Sequence, residues 1–221
     1  TFADLEVEYL VVGGGGGDGG GASNVVYPAG GGGGDIKSGT SVLAGGASAV
    51  VIGAAGTYSE SRGGTSSFLG VSAEGGWRGG LNADGSTTTG KGGASASGFL
   101  GGTRNSYASG GGAGHLEAGK NAPNNSTGGA GGAGLISSIS GIDEMYGFGG
   151  GGRDGDTWGL AGDGTNKANA RANSGGGATA GYSAAAGTVI VRYSGSATAT
   201  GGTVKENGTS AGGRFTVHTF T

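Results

Sequence analysis

Glu6-Val7-Glu8-Tyr9-Leu10-Val11-Val12-Gly13-Gly14-Gly15-Gly16-Gly17 decides the reading of this chain, because two kinds of backbone meet within it. Leu5, Val7, Tyr9 and Val11 alternate with Glu6, Glu8, Leu10 and Val12, the period of two that marks a strand with one wholly apolar face. Five consecutive glycines then end the pattern. A second strand stands near the other end, where Val189, Val191 and Tyr193 alternate with Ile190 and Arg192. The economical arrangement pairs these two strands and closes the module at its base. Phe215-Thr216-Val217-His218-Thr219-Phe220 reads as a third short strand, following a turn-rich stretch over residues 194–213.

Between the first two strands, residues 13–187 show no helical period. Glycine accounts for 63 of 221 residues, and its clusters recur irregularly, separated by inserts of different composition. Leu, Ile, Val and Phe together fall below the ~20% at which a conventional core becomes hard to build. Disorder is nonetheless a poor description, since the chain carries 12 basic and 15 acidic residues, a net charge of −3, and only Pro28 and Pro123. Collagen is excluded because the glycines come in runs with no strict Gly-X-Y period. A flexible linker would not carry Phe68, Leu69, Trp77, Phe99, Leu100, Leu135, Ile136, Ile139, Ile142, Phe148 and Trp158 at intervals. The expected fold is therefore mainly irregular and β: packed glycine helices of polyproline II geometry, with about 3 residues per turn, closed by a few short strands at the base. Only Gly lets such helices lie side by side and exchange N–H to O=C bonds. The expected division is a glycine-rich module over residues 1–193, then a turn-rich segment and terminal strand over 194–221 that link to a neighbouring module or subunit.

The chemistry the sequence excludes is broad. Scattered Lys and Arg form no basic stripe for nucleic acid. With no Cys, and with His115 and His218 far apart, neither a disulfide scaffold nor a zinc cluster is expected. The longest apolar stretches fall far short of the ~18 residues that span a bilayer. The absence of a starting Met and of a signal peptide reads as a fragment or a processed product. Residues 85–91 and 114–120 both fit GxxxxGK, but Gly92 and Asn121 stand where a Ser or Thr should bind magnesium. Asp154, Asp156 and Asp163 are weak calcium candidates: Gly149-Gly150-Gly151-Gly152-Arg153-Asp154 starts like a calcium nonapeptide that is not repeated in tandem. Asp143-Glu144 reads as a solvated acidic bend, and no nucleophile motif accompanies either His. Asn124, Asn125 and Asn207 fit the N-glycosylation rule. No cofactor and no enzymatic activity are expected.

The aromatics remain. Tyr27, Tyr58, Tyr107, Tyr146 and Trp158, with Tyr182, sit in or beside the inserts at 22–29, 57–62, 103–109, 115–127 and 153–174. A ring on a loop carried by a rigid scaffold supplies binding contact, which makes the first five the receptor-binding candidates.

Taken together, residues 6–17, the glycine-rich body and Gly187-Thr188-Val189-Ile190-Val191-Arg192-Tyr193 resemble the glycine-rich domain of bacteriophage tail-fibre and adhesin proteins. Residues 213–221 resemble the short HTFT strand that stands just before such a domain, although here it stands after one. The resemblance implies polyglycine II helices supporting variable loops that bind a bacterial surface protein or glycan, on a virion tail fibre or otherwise outside the cell. The alternative is a purely structural repeat of an extracellular or virion filament with no receptor of its own. An ice-binding protein would need a flat face of small hydroxyl residues, which the inserts deny. For assembly, residues 215–221 have no evident partner within their own module, so a head-to-tail neighbour or homo-oligomer is expected, against a threefold fibre or a monomeric tip.

Overall fold

The computed structural model describes residues 4–19, 28–57, 62–80, 90–154, 157–210 and 213–221, and no helix occurs among them. The expected pairing of the two end strands is present. β1 (Leu5–Val12) runs antiparallel to β10 (Thr188–Ser194), with Tyr9 opposite Val191 and Val12 opposite Thr188. They are central in a five-stranded sheet of order β11-β12-β10-β1-β2, completed by β2 (Ile36–Leu43), β11 (Thr203–Ser210) and β12 (Gly213–Phe220). Both faces of this sheet are covered. Val7, Val11, Val189, Val191 and Tyr193 pack on Phe68 and Ala73 of a small sheet made by β3 (Val50–Val51), β4 (Ser66–Phe68) and β5 (Val71–Ala73). Leu10, Val12, Ile190 and Val217 pack on Ile139 and Tyr146 of the hairpin of β6 (Leu135–Ser137) and β7 (Glu144–Tyr146). That second cover reaches only the glycine-proximal half of β1, which is why Glu6 and Glu8 precede Leu10 and Val12 on the same face; Glu8 instead pairs with Arg192 in the open.

Three expectations need correction. Residues 215–221 do not lack a partner: β12 lies between β10 and β11, with Val191 opposite His218 on one side and Val204 opposite His218 on the other, so its edges are used within this module. The stretch read as turn-rich contains β11, and β2 lies inside what read as glycine-rich body; neither sequence alternates, because both strands sit at the sheet's edges, where backbone pairing rather than a buried face holds them. Phe99, Leu100, Ile136 and Ile142 are exposed rather than packed in the body, whereas Phe68, Ile139 and Phe148 are buried as expected.

His218 closes the β11–β12 hairpin on the sheet. Its Nδ1–H donates to the Gly201 carbonyl at 2.8 Å, so Nε2 accepts the Tyr193 hydroxyl at 3.0 Å. The Tyr193 oxygen in turn accepts the N–H groups of Thr198 and Ala199. Tyr193 and His218 are buried, and the polar atoms of both side chains are satisfied by other protein atoms.

The glycine runs are ordered by bonds that leave each run in three directions. Residues 30–35 show the pattern in full: Gly30 and Gly33 donate to the carbonyls of Gly110 and Ala113, Gly31 and Gly34 to Ala178 and Gly175, and Gly32 and Asp35 to Trp77 and Glu74. Every third N–H therefore returns to the same neighbour. The same run accepts from Gly13 and Gly16, from Gly93 and Ala96, and from Gly150, which gives it six neighbouring runs. Residues 109–114 repeat the scheme, donating to Arg153 and Gly150, to Gly90 and Gly93, and to Lys120 and Glu117. Such spacing admits no side chain where runs face each other: a Cβ on Gly31 would overlap the carbonyl oxygen of Gly16, and one on Gly112 that of Gly31. Where room exists the chain uses Ala, as at the fully buried Ala113 and Ala178, and once a large ring, Phe148, set against Gly176.

Two outcomes follow from this packing. Gly112→Ala should cost about 3 kcal/mol or more, since overlap with backbone cannot be relieved by a rotamer, whereas Gly98→Ala, with φ +96 and nothing within 4 Å of its Cβ, should cost only about 1 kcal/mol; thermal unfolding of the two variants checks the order. Tyr193→Phe leaves the buried His218 Nε2 without its donor and should cost about 1–3 kcal/mol, read by denaturant titration.

Candidate functional site

The hydrogen-bond registers sort most of the described connections to one of two ends. Gly13 donates to Asp35 and Gly16 to Gly32, so residues 13–17 lead away from the sheet and residues 30–35 return to it. Following the same logic, the described residues 18–19, 28–29, 57, 62, 80, 90, 104–108, 123–127, 153–154, 157–158 and 181–182 lie toward the distal end. The turns at 97–99 and 115–116 and the β6–β7 hairpin lie on the sheet side, whereas residues 163–173 run between the ends: Lys167 lies against Trp158 and the Ala170 N–H donates to the Ser183 carbonyl, while Arg171 reaches Glu144. The described parts of the inserts at 22–29, 57–62 and 103–109, namely residues 28–29, 57, 62 and 103–109, thus share one end. The insert at 115–127 is divided between a sheet-side turn, a glycine-type pass and a distal hairpin, and the described part of the insert at 153–174 runs from a distal hairpin to Arg171 beside Glu144.

At the distal end Ser109 fastens three segments. Its hydroxyl donates to the Pro28 carbonyl at 2.6 Å and accepts the Arg153 N–H at 2.7 Å. Arg153 opens the two-strand hairpin of β8 (Arg153–Asp154) and β9 (Thr157–Trp158). Asp18 accepts the Gly181 N–H at 2.8 Å, drawing the 181–182 turn to the first loop. The platform beneath the tips is thereby cross-linked by short polar contacts.

The candidate aromatics fare differently. Tyr107 is 54% exposed, at the tip of a hairpin closed by Asn105 and Ala108, and Ser106 before it takes φ +49. Trp158 is anchored instead. Its Nε1–H donates to the Ala180 carbonyl at 2.9 Å, the Arg153 guanidinium and Lys167 ammonium lie 4.6 and 4.5 Å from its ring centroid, and Tyr182 packs at 6.4 Å. Tyr146 is corrected from receptor candidate to core residue: it is 2% exposed on the sheet side, and its hydroxyl donates to Glu144 at 2.7 Å. Burial, then the Glu144 carboxylate, push its phenol far above the ordinary range. Glu144, expected in a solvated bend, also takes bonds from Ser140 and Arg171. Tyr27 and Tyr58 lie outside the described residues.

Of the calcium candidates, Asp154 belongs to β8, and Asp163 turns back to accept the N–H and hydroxyl of Thr165. Asp156 lies outside the described residues, and among those described no three His, Cys, Asp or Glu side chains gather to hold an ion. In the second GxxxxGK match the Gly114 N–H is spent on the Glu117 carbonyl, and Lys120 pairs with Glu117; the first match lies mostly outside the described residues.

A neighbour of the Tyr107 hairpin escaped sequence reasoning. Asn124 and Thr127 close a hairpin of the same size, in which Asn124 Oδ1 accepts the N–H and hydroxyl of Ser126. The signal was present: Asn105-Ser106-Tyr107-Ala108 and Asn124-Asn125-Ser126-Thr127 each stand between two glycine passes and begin with Asn, a turn former.

At the opposite, sheet-side margin of the glycine runs Asp35 is nearly buried. Its Oδ1 accepts the Ile36 N–H at 2.8 Å and lies 3.3 Å from His115 Nδ1, while Oδ2 meets Lys37 at 2.8 Å. Burial alone would raise the pKa of this carboxyl, but His115, Lys37 and the Ile36 amide together hold it below its ordinary value. A carboxyl depressed in the folded state contributes stability above its unfolded pKa of about 3.9 and loses it as pH falls through the folded value. Thermal melts should therefore show stability dropping below about pH 4, with a smaller drop in Asp35→Asn. Trp158→Ala should lower stability by about 2 kcal/mol, while Tyr107→Ala should stay within about 0.5 kcal/mol, as compared by calorimetry.

Searches of curated proteins and of solved structures returned no match. Residues 3–194 match a family described as a glycine-rich domain, a span that contains β1, the glycine runs, both distal hairpins and β10. On that match, across most of its length, the chain belongs to the glycine-rich domain family.

Proposed function

We propose that this module is a non-catalytic recognition unit of a phage tail fibre or comparable virion surface protein, and that its distal loops bind a receptor on a bacterial surface. The observation that carries the reading is the segregation of connections. Residues 104–108, 123–127, 153–154 and 157–158 stand at one end of a cross-bonded glycine body, and the five-stranded sheet closes the other. The body is read as a polyglycine II lattice, supported by N–H groups that return to the same neighbour every third residue and by φ values outside the left-handed range throughout residues 13–17 and 30–34. Such a body holds loops at low entropic cost, which is how a scaffold converts variable tips into binding surface. A receptor-free filament repeat would need no exposed ring on a turn with positive φ at its tip, yet Tyr107 is displayed in that way.

Fluorescently labelled protein screened against a panel of bacterial strains tests the reading. Saturable adsorption to at least one strain is expected. It should fall about tenfold or more when Arg104→Glu and Tyr107→Ala are combined at the distal end, and hold when Val42→Ser and Ile142→Ser are combined on the sheet side. Adsorption that responds to the sheet-side pair and ignores the distal pair would reject the orientation.

A further inference from the structure

We propose that the two distal hairpins, 105–108 and 124–127, together form a saccharide-binding site, an inference that rests on the recognition role proposed above. Their adjacency is explicit. The Ala122 N–H donates to the Thr103 carbonyl at 3.0 Å and the Thr103 N–H to Asn121 Oδ1 at 2.8 Å, joining the passes that lead into the tips. The Gly129 N–H donates to the Ser109 carbonyl at 2.9 Å, joining the passes that leave them. Ala108 and Ala122 are buried beneath, while residues 103–107 and 123–126 are exposed. Two tips of equal size therefore stand side by side, on a floor that cannot shift without breaking the glycine network.

Their chemistry selects the ligand class. Residues 103–109 and 121–127 contain no carboxylate and one cation, Arg104. The remaining functional groups are amides, hydroxyls and one ring, among them the amides of Asn105, Asn124 and Asn125, the hydroxyl of Ser126 and the ring of Tyr107. An amide offers donors and an acceptor in one plane, matching vicinal hydroxyls that must give and take a bond each. In Asn124 the internal turn uses Oδ1, and the Nδ2 donors are not part of that turn. An exposed aromatic ring supplies an apolar face for the C–H face of a sugar ring, and the positive φ of Ser106 sets Tyr107 at the tip before any ligand arrives. A protein receptor would call for an apolar patch at the centre of the contact. Of the exposed aliphatic side chains nearby, Leu116 and Ile136 lie toward the sheet side and Leu100 and Leu160 stand along separate glycine passes, so none belongs to the tips themselves. A polyanionic strand would call for more than one cation.

The labelled protein is applied to an array of purified bacterial lipopolysaccharides and capsular polysaccharides, and in parallel to adsorbing cells treated with periodate or with protease. Adsorption should survive protease and vanish after periodate. Binding to the arrayed polysaccharide should weaken about tenfold or more in Tyr107→Ala and in the Asn124→Ala, Asn125→Ala double variant, and recover to within about threefold in Tyr107→Trp, with unchanged melting temperatures showing that the fold is intact. Adsorption that survives periodate and disappears with protease overturns the saccharide assignment and leaves receptor recognition standing. Full array affinity in Tyr107→Ala overturns the placement at these hairpins. Adsorption to no strain overturns both proposals.

Discussion

Everything in this molecule depends on the distance between neighbouring glycine runs. Each run places N–H and C=O groups outward in three directions, so its backbone is satisfied only if other runs lie within hydrogen-bond reach on all sides. Residues 30–35 and 109–114 achieve this with six neighbours each. At that separation a Cβ at Gly31 or Gly112 would overlap a neighbour's carbonyl oxygen, and the high glycine content is the direct consequence. The arrangement opposes the large entropy that glycine loses on ordering, and it does so by giving every N–H of residues 30–35 and 109–114 a carbonyl partner on another run.

A lattice of similar runs has no intrinsic way to choose its ends, and the sheet supplies one. β1 and β10 bring the two ends of the glycine body together, and the sheet is covered by β3–β5 on one face and by the β6–β7 hairpin on the other. Both covers are insertions between glycine passes, so the hydrophobic cores and the glycine body are built from the same segments and stabilise each other. Asp35 sits at the changeover, where its amide extends the glycine network and its carboxylate serves the first residues of β2.

The distal end inherits its rigidity from below. Ser109 ties the first loop to the Arg153–Trp158 hairpin, and the Thr103, Asn121 and Ala122 contacts tie the two small hairpins together. Trp158, the more conspicuous aromatic in the sequence, is used to hold the surface together. Among the described residues of the distal end, the ring left exposed is Tyr107, on a four-residue turn. Large aromatics are recruited for packing wherever cations and a carbonyl can surround them, which leaves display to residues at turn tips.

The sequence by itself determined that β1 and β10 are strands, that they meet, and that what lies between them is ordered glycine backbone, because alternation and uninterrupted glycine are local signals that need no partner to be read. It also marked where the loops are, since bulky side chains are excluded wherever runs face each other at hydrogen-bonding distance. It did not show β2 and β11, whose residues alternate poorly because edge strands are held through backbone bonds. It misplaced Tyr146, whose neighbours Asp143 and Glu144 look solvated until Arg171 and Ser140 arrive from elsewhere in the chain or the turn. The free edge expected for residues 215–221 was filled by β11. Only the tertiary structure decided which glycine run lies beside which, and hence which loops share the distal end. Glycine runs are chemically alike, so their order is set by connection lengths and by the few positions, such as Ala113, Ser109 and Phe148, where a side chain finds room.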